Sequence, residues 1–350
     1  MKTAQLRKFG FIAGIVVLLL VAGIFIYNRY LSLITLREVE LRPVKVLSGP
    51  EDDPRYLWHN PKAIAIDASG NLYICDMGNH RIVKYDSTLR YIMQIGRAGQ
   101  GPGEFQYPVD VKIGKNGDIF VLDAGNNRIQ VLDSTGKYLM SFPSTTVLAM
   151  ELMLDSKNNV YLMSPRDSKS LVTVFSPVGE KIGERGIKES FPASARQWQR
   201  NYIVRVAIDE EDNLYIQFGT FARLQKYDKH GRLVFDKDFS RVKSAHDYLT
   251  KEPGENGSAK TSAGRALRFM CASPLVSFCR DKIALMAGFL TVFDKQSGKP
   301  ISILKLEDAE GKFALDTFVT RANDPSEIIS LDLVRNRVYI YHLPCHEYGE

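Results

Sequence analysis

Residues 67–86 read DASGNLYICDMGNHRIVKYD, and residues 114–133 read GKNGDIFVLDAGNNRIQVLD. The offset of 47 aligns Gly70 with Gly117, Asp76 with Asp123, Gly78 with Gly125 and Arg81 with Arg128. A period of about 40–50 residues points to a propeller or a solenoid. Each unit divides into short strands separated by turns rich in Gly, Asn, Asp and Ser. In the first unit the expected strands are 63–66, 72–75, 81–85 and 90–95. Four short strands joined by tight turns form a meander, the unit of a propeller blade.

Weaker copies continue the series. The third carries Asp155 to Asn159 followed by Val-Tyr-Leu, and the fourth Asp209 to Asn213 followed by Leu-Tyr-Ile. The fifth spans 282–298 and the sixth 328–341, where Asp332 and Arg337 repeat the Asp-x4-Arg spacing. Six units predict an all-β fold, a six-bladed β-propeller of four-stranded antiparallel blades. A ring of blades closes or leaves an exposed edge strand. The stretch 43–48 has no unit of its own and the sixth unit stops at its third strand, so 43–48 is expected to complete the last blade.

Two stretches carry a family resemblance: GRAGQGPGEFQYP at 96–108, leading into a strand, and GNLYICDMGNHRI at 70–82. In these the chain resembles the NHL-repeat family in its six-bladed form. The likeness covers the first two blades closely, the next two loosely, and the last third by pattern alone. A binding or scaffolding role through the loops and channel mouth is the favoured expectation, since the fold alone hosts both binders and enzymes. The resemblance implies an alternative, because some six-bladed relatives are lyases or hydrolases with channel-bound metals. Their ligand sets find no match here. RNA binding, known for other NHL relatives, conflicts with the topology and charge below.

The chain has 350 residues, 46 basic and 40 acidic, and is 45% hydrophobic. This composition excludes disordered and collagen-like chains. One stretch departs from the average: residues 9–27, FGFIAGIVVLLLVAGIFIY, carry no charge. Nineteen helical residues span about 28 Å, near the thickness of a hydrocarbon core. Lys2, Arg7 and Lys8 precede the run without an acid, which predicts a cytoplasmic N-terminus and an exterior remainder. A cleaved signal peptide is the rival reading, but the run is long for one and Tyr27-Asn28-Arg29-Tyr30 offers no small-residue cleavage site. Without residues 1–28 the chain carries 43 basic and 40 acidic residues, so most of its basicity is topological. The expected layout is a cytoplasmic N-terminus (1–8), an anchor (9–27), a linker (28–42), the propeller (43–343) with an insertion at 241–270, and a tail (344–350).

The inner strands align Asp110 and Lys112 with Glu151 and Arg205. Alternation puts Ile64, Val111, Leu152 and Val206 on an inter-blade side and these four charges on the other. Charged groups there require pairing or water, so they are candidate channel-lining residues. His59, Tyr107, Trp198 and Tyr202 precede inner strands and are candidate rim contacts. The pairs Asp76/Arg81, Asp123/Arg128 and Asp332/Arg337 recur at one place in three blades, which makes them structural: the acid caps the turn and the arginine pairs with it. Outside the cell disulfides persist; Cys271 with Cys279, and Cys75 with Cys345, are the pairings considered. Cys75 also reads as a small buried apolar residue. The glycines of 96–103 lack the phosphate-loop form, and the histidines lack metal-site spacing. No catalytic constellation, cofactor, metal or nucleic-acid partner is expected. The expected function is a membrane-tethered, extracytoplasmic binding module for a protein, peptide or glycan, with a propeller enzyme as the alternative.

Overall fold

The computed structural model describes residues 36–50, 53–144, 151–163, 169–187, 204–218, 223–239, 241–242, 275–278, 282–286, 290–306, 317–321, 324–332, 337–343 and 345. The anchor, most of the insertion, Trp198, Tyr202, Cys271, Cys279 and the side chains of Arg205 and Asp332 lie outside the described residues. Among those described, no helix is long and apolar enough to cross a membrane.

The repeats form six antiparallel sheets. Blade I is Pro61–Ile66, Leu72–Asp76, Arg81–Tyr85 and Tyr91–Ile95. Blade II is Pro108–Ile113, Ile119–Asp123, Arg128–Leu132 and Tyr138–Pro143. Blades III and IV begin at Leu152–Leu154 and Val204–Ile208 and end at Lys181–Ile187 and Leu233–Asp238. Blade V runs from Leu275–Phe278 to Pro300–Leu306. Blade VI holds Thr317–Arg321, Asp324–Asp332 and Arg337–His342. The first strands touch one another in order round a closed circle, blade VI meeting blade I.

The stacking explains the burial. Leu72–Asp76, Ile119–Asp123 and Leu214–Phe218 are buried at every residue. A strand with one wet face would alternate. Here Leu72 and Ile74 pack toward blade VI, against Ile329 and Val338, while Tyr73 and Cys75 pack toward blade II, against Val111 and Val121. Each sheet is thus the filling between two others.

The ring is closed by the N-terminal segment. Lys45–Leu47 lies antiparallel to Arg337–His342, with Leu47 opposite Val338, and the Val44 N–H donates to the Ile340 carbonyl at 2.8 Å. Leu47 is buried beside Ile64 of blade I and Ile329 of blade VI. A further strand lies within the stretch expected as linker. Arg37–Leu41 runs parallel to Pro300–Leu306 as a fifth strand of blade V. Val39 and Leu41 point into the core between blades V and VI, and Glu38 and Glu40 point outward.

The outer strands share an irregularity. In blades I to V the pairing of third with fourth strand shifts by one residue near its start. The residues skipped are Ile92, Leu139, Ile182, Val234 and Ile301. Bulges of this kind increase local twist and make an edge a poorer template for pairing.

Cys75 is a free, buried thiol that donates to the Pro108 carbonyl at 3.2 Å. The Cys75–Cys345 pairing therefore does not form: Cys75 faces the core between blades I and II. Cys345 is disulfide-bonded, and its partner lies outside the described residues.

Burial of the closing strand sets a test. Leu47→Ala should lower unfolding free energy by about 2–4 kcal/mol. Val46→Ala, at a site 40% exposed, should cost about 0.5 kcal/mol or less. Urea unfolding of the two variants checks the ranking, and equal losses would show that the strand is not packed as described.

Candidate functional site

One end of the ring carries the connectors that enter the inner strands and the turns between second and third strands. The best-described part belongs to blades I and II. The turn Met77–Asn79 is a short 3-10 segment, and Gly78 N–H donates to the His59 carbonyl at 2.7 Å. Gly125 N–H makes the equivalent bond to Gln106, also at 2.7 Å. A Cβ on either glycine would overlap that carbonyl, so the repeat requires glycine for close approach.

Asp76 and Asp123 organise this face. The Asp76 carboxylate accepts the His59 N–H at 2.7 Å, Asn79 Nδ2 at 2.8 Å and Arg81 Nε at 2.7 Å. Asp123 accepts the Gln106 N–H at 2.7 Å, Asn126 Nδ2 at 2.8 Å and Arg128 Nε at 2.9 Å. Both acids are fully buried. Their arginines reach on to connector carbonyls, Arg81 to Pro54 at 3.0 Å and Arg128 to Gly101 at 2.8 Å. Neither acid caps the turn that follows it. The expected turn cap is thus corrected: the carboxylate serves the connector. Asp332 pairs in register with Arg337 in blade VI.

Two rim candidates fall on this face. His59 is exposed, its main chain held at both ends by Asp76 and Gly78. Tyr107 is 49% exposed. Its N–H donates to His80 Nδ1 at 3.0 Å, and its ring meets the His80 ring edge-on at a centroid distance of 4.5 Å. Both residues are left-handed, Tyr107 at φ 50° and His80 at φ 56°. Non-glycine residues held there signal a backbone over-determined by its surroundings. The pairing of His80 with Tyr107 was not legible beforehand, because they sit in different repeats.

The inner-strand charges behave differently from expectation. Asp110 is 2% exposed. Its carboxylate accepts the Val111 N–H at 2.8 Å, Lys112 Nζ at 2.7 Å and, across the blade boundary, the Leu152 N–H at 2.9 Å. Glu151 is also buried. The expected division into an inter-blade side and a channel side does not form. Val111 faces blade I, while Asp110 faces blade III. An inner strand sandwiched between blades has two inter-blade sides, and the Asp110 carboxylate is spent on joining blade II to blade III. Among the described residues, no group of three His, Cys, Asp or Glu is disposed to hold a metal ion.

The opposite end carries a triad that the repeat stretches contain but their alignment did not expose. Asp67 accepts Asn71 Nδ2 at 2.8 Å and the Tyr73 hydroxyl at 3.1 Å. Asp155 does the same with Asn159 and Tyr161, and Asp209 with Asn213 and Tyr215. In blade II Gly114 replaces the acid and Phe120 the tyrosine. Burial pushes the Asp67 carboxyl up, but the bonds from Asn71 and Tyr73 outweigh it and hold the group below its ordinary value. Burial, with the Asp155 charge, pushes the Tyr161 phenol up to about 12.

A family described as DUF5128, a 6-bladed beta-propeller, matches residues 55–216, from the approach to blade I into the second strand of blade IV. No curated protein matches the chain. Among solved structures, a streptogramin B lyase is 12% identical with a TM-score of 0.52, covering 85% of this chain and 87% of its own. Hydrazine synthase of Kuenenia stuttgartiensis is 11% identical with a TM-score of 0.49, covering 85% and 100%. A protein of unknown function from Bacteroides caccae is 13% identical with a TM-score of 0.43, covering 70% and 81%. At these identities the likeness is one of fold, and one fold hosts many activities.

Two tests follow from the carboxylates. Asp123→Ala leaves the Arg128 charge and the Gln106 N–H without their partner and should cost about 3–5 kcal/mol, read from urea unfolding; a loss below 1 kcal/mol would remove the hub role. Asp67 has a folded pKa below its unfolded value, near 3.9. Its contribution is present above that pH and fades as pH falls through the folded value. Asp67→Asn should flatten the acid limb of the stability–pH curve, and an unchanged limb would contradict it.

Proposed function

We propose that the chain is a membrane-tethered, NHL-like propeller that faces the exterior of the cytoplasmic membrane and binds a protein, peptide or glycan. The observation that carries this reading is the His80–Tyr107 pair: two left-handed residues, hydrogen-bonded to each other, present an exposed aromatic edge on a backbone pinned by buried Asp76 and Asp123. A rigid scaffold that offers an exposed aromatic is suited to recognition, because little side-chain freedom is lost on contact. His59 and the exposed Asn60 extend the same surface.

The tether rests on the uncharged run at 9–27 and the three basic residues before it. The bonded state of Cys345 supports an oxidising compartment. The recurrent Gly-Asn-x-Arg turns support the NHL likeness.

Photo-crosslinking in native membranes tests the binding role. A benzophenone at position 107 should give a discrete adduct that is absent when the probe sits at position 139 on the outer edge of blade II. No adduct at 107, or the same smear at both, would sink the assignment. For the orientation, a periplasmic-type reporter fused after residue 350 should be active and a cytoplasmic-type reporter inactive; the reverse would place the propeller inside.

A further inference from the structure

Exposed aliphatic side chains gather on the outer strands of two adjacent blades and on the turn that leads into one of them. On blade III Val178 is 59% exposed and Ile182 53%; on blade IV Leu233 is 52% and Val234 51%. The outer strands of blades I and II expose only Ile92 and Leu139. Blade VI exposes Val44 and Val46, but the strand Arg37–Leu41, with Glu38 and Glu40 outward, lies between them and blade IV.

The outer strands of blades III and IV meet along this rim. Gly231, in the turn that opens the outer strand of blade IV, lies against the guanidinium of Arg185 on the outer strand of blade III. Leu233 and Val234 follow directly. Next along the rim is Phe235, which shares a core cluster with Leu36, the first described residue. The N-terminal chain therefore reaches the propeller at the outer end of the blade IV–V boundary.

Chain length then limits how far this rim can be from a bilayer. Residues 28–35 are eight in number. Fully extended they reach roughly 26–29 Å. A body of about 300 residues has a radius of gyration near 19 Å and is roughly 50 Å across. The tether is shorter than the body it holds, so the rim beside Leu36 is the part kept nearest the membrane. The charges beside the four aliphatics nearly balance: Lys181 pairs with Glu184 at 2.5 Å and Arg232 with Asp228 at 2.7 Å, and Glu180, Arg185 and Lys229 bring the set to four basic against three acidic groups. An excess of a single charge gives little preference for anionic headgroups, so the surface suits a zwitterionic interface.

We propose that the rim of blades III and IV rests in the boundary between headgroups and acyl chains of the bilayer that holds the anchor, so that the propeller stands on edge. The inference rests on the reading of 9–27 as an uncleaved anchor. In a ring of six, blade I lies across the axis from blade IV, so the edge-on posture carries the His80–Tyr107 pair away from the bilayer.

The test uses the full chain in nanodiscs of zwitterionic lipid, with an environment-sensitive fluorophore on Ile182→Cys, Val234→Cys, Ile92→Cys or Leu139→Cys and a quencher on the acyl chains. Cys75 is fully buried and remains unlabelled; the parent chain, which keeps Cys271, Cys279 and Cys345, is labelled in parallel and its signal subtracted. Quenching should be several-fold stronger at 182 and 234 than at 92 and 139. Equal quenching at all four positions, in a chain that resists carbonate extraction, overturns the docking inference alone. Release by carbonate overturns the anchor and the docking together. Quenching at 182 and 234 that requires anionic lipid would put charge, rather than the four aliphatics, at the contact and would also overturn it.

Discussion

Every sheet in this protein depends on having a neighbour on both faces. Ile74 and Tyr73 are adjacent in sequence and both fully buried, one toward blade VI and the other toward blade II. A single blade exposes two apolar faces and has no core of its own. Apolar burial at roughly 25 cal/mol per Å² is realised only when blades stack. The last gap in the circle is filled by three residues, Lys45–Leu47, so a short segment completes a core assembled from the whole chain.

Polar chemistry follows the same constraint. With no wet face available, a charged side chain on an inner or second strand is tolerated when it bonds to the next structural unit. Asp110 takes a main-chain N–H from blade III, and Asp76 and Asp123 take theirs from the connectors that enter the inner strands. Each converts the cost of a buried charge into a fixed position for a neighbour. The glycines serve the same end from the other side, since Gly78 and Gly125 let the turn close onto those connectors.

What the sequence disclosed follows this division. Blades I and II were legible because Asp, Gly and Arg fall at fixed spacing, and the closing strand because one unit lacked a partner. The strand Arg37–Leu41 was hidden although Val39 and Leu41 alternate with Glu38 and Glu40: it has no turn signal and pairs with residues 265 positions away, Arg37 with Ser302. The charges at Asp110 and Glu151 suggested a channel because period-2 reasoning assumes one inside and one outside, which a sandwiched sheet does not have. The triads of Asp67, Asp155 and Asp209 were present as letters. Their chemistry showed only through blade II, where Gly114 and Phe120 replace acid and tyrosine together: without the carboxylate, a buried hydroxyl has no acceptor.

The position of the closing strand sets the order in which the ring can be completed. Residues 37–47 are made first, yet their partners Ser302–Leu306 and Val338–Ile340 are made last. Until then the segment has no sheet to join, and the face of blade I meant for blade VI stays open, with Ile64 and Leu72 uncovered. Long-range pairing of this kind is slow and leaves hydrophobic surface exposed meanwhile. The same segment leads directly from the apolar run at 9–27. In the tethered reading, a pull on the anchor enters the ladder of Arg37–Leu41 on blade V and then the strand that shuts the ring, so load on the tether and opening of the propeller act on one set of hydrogen bonds.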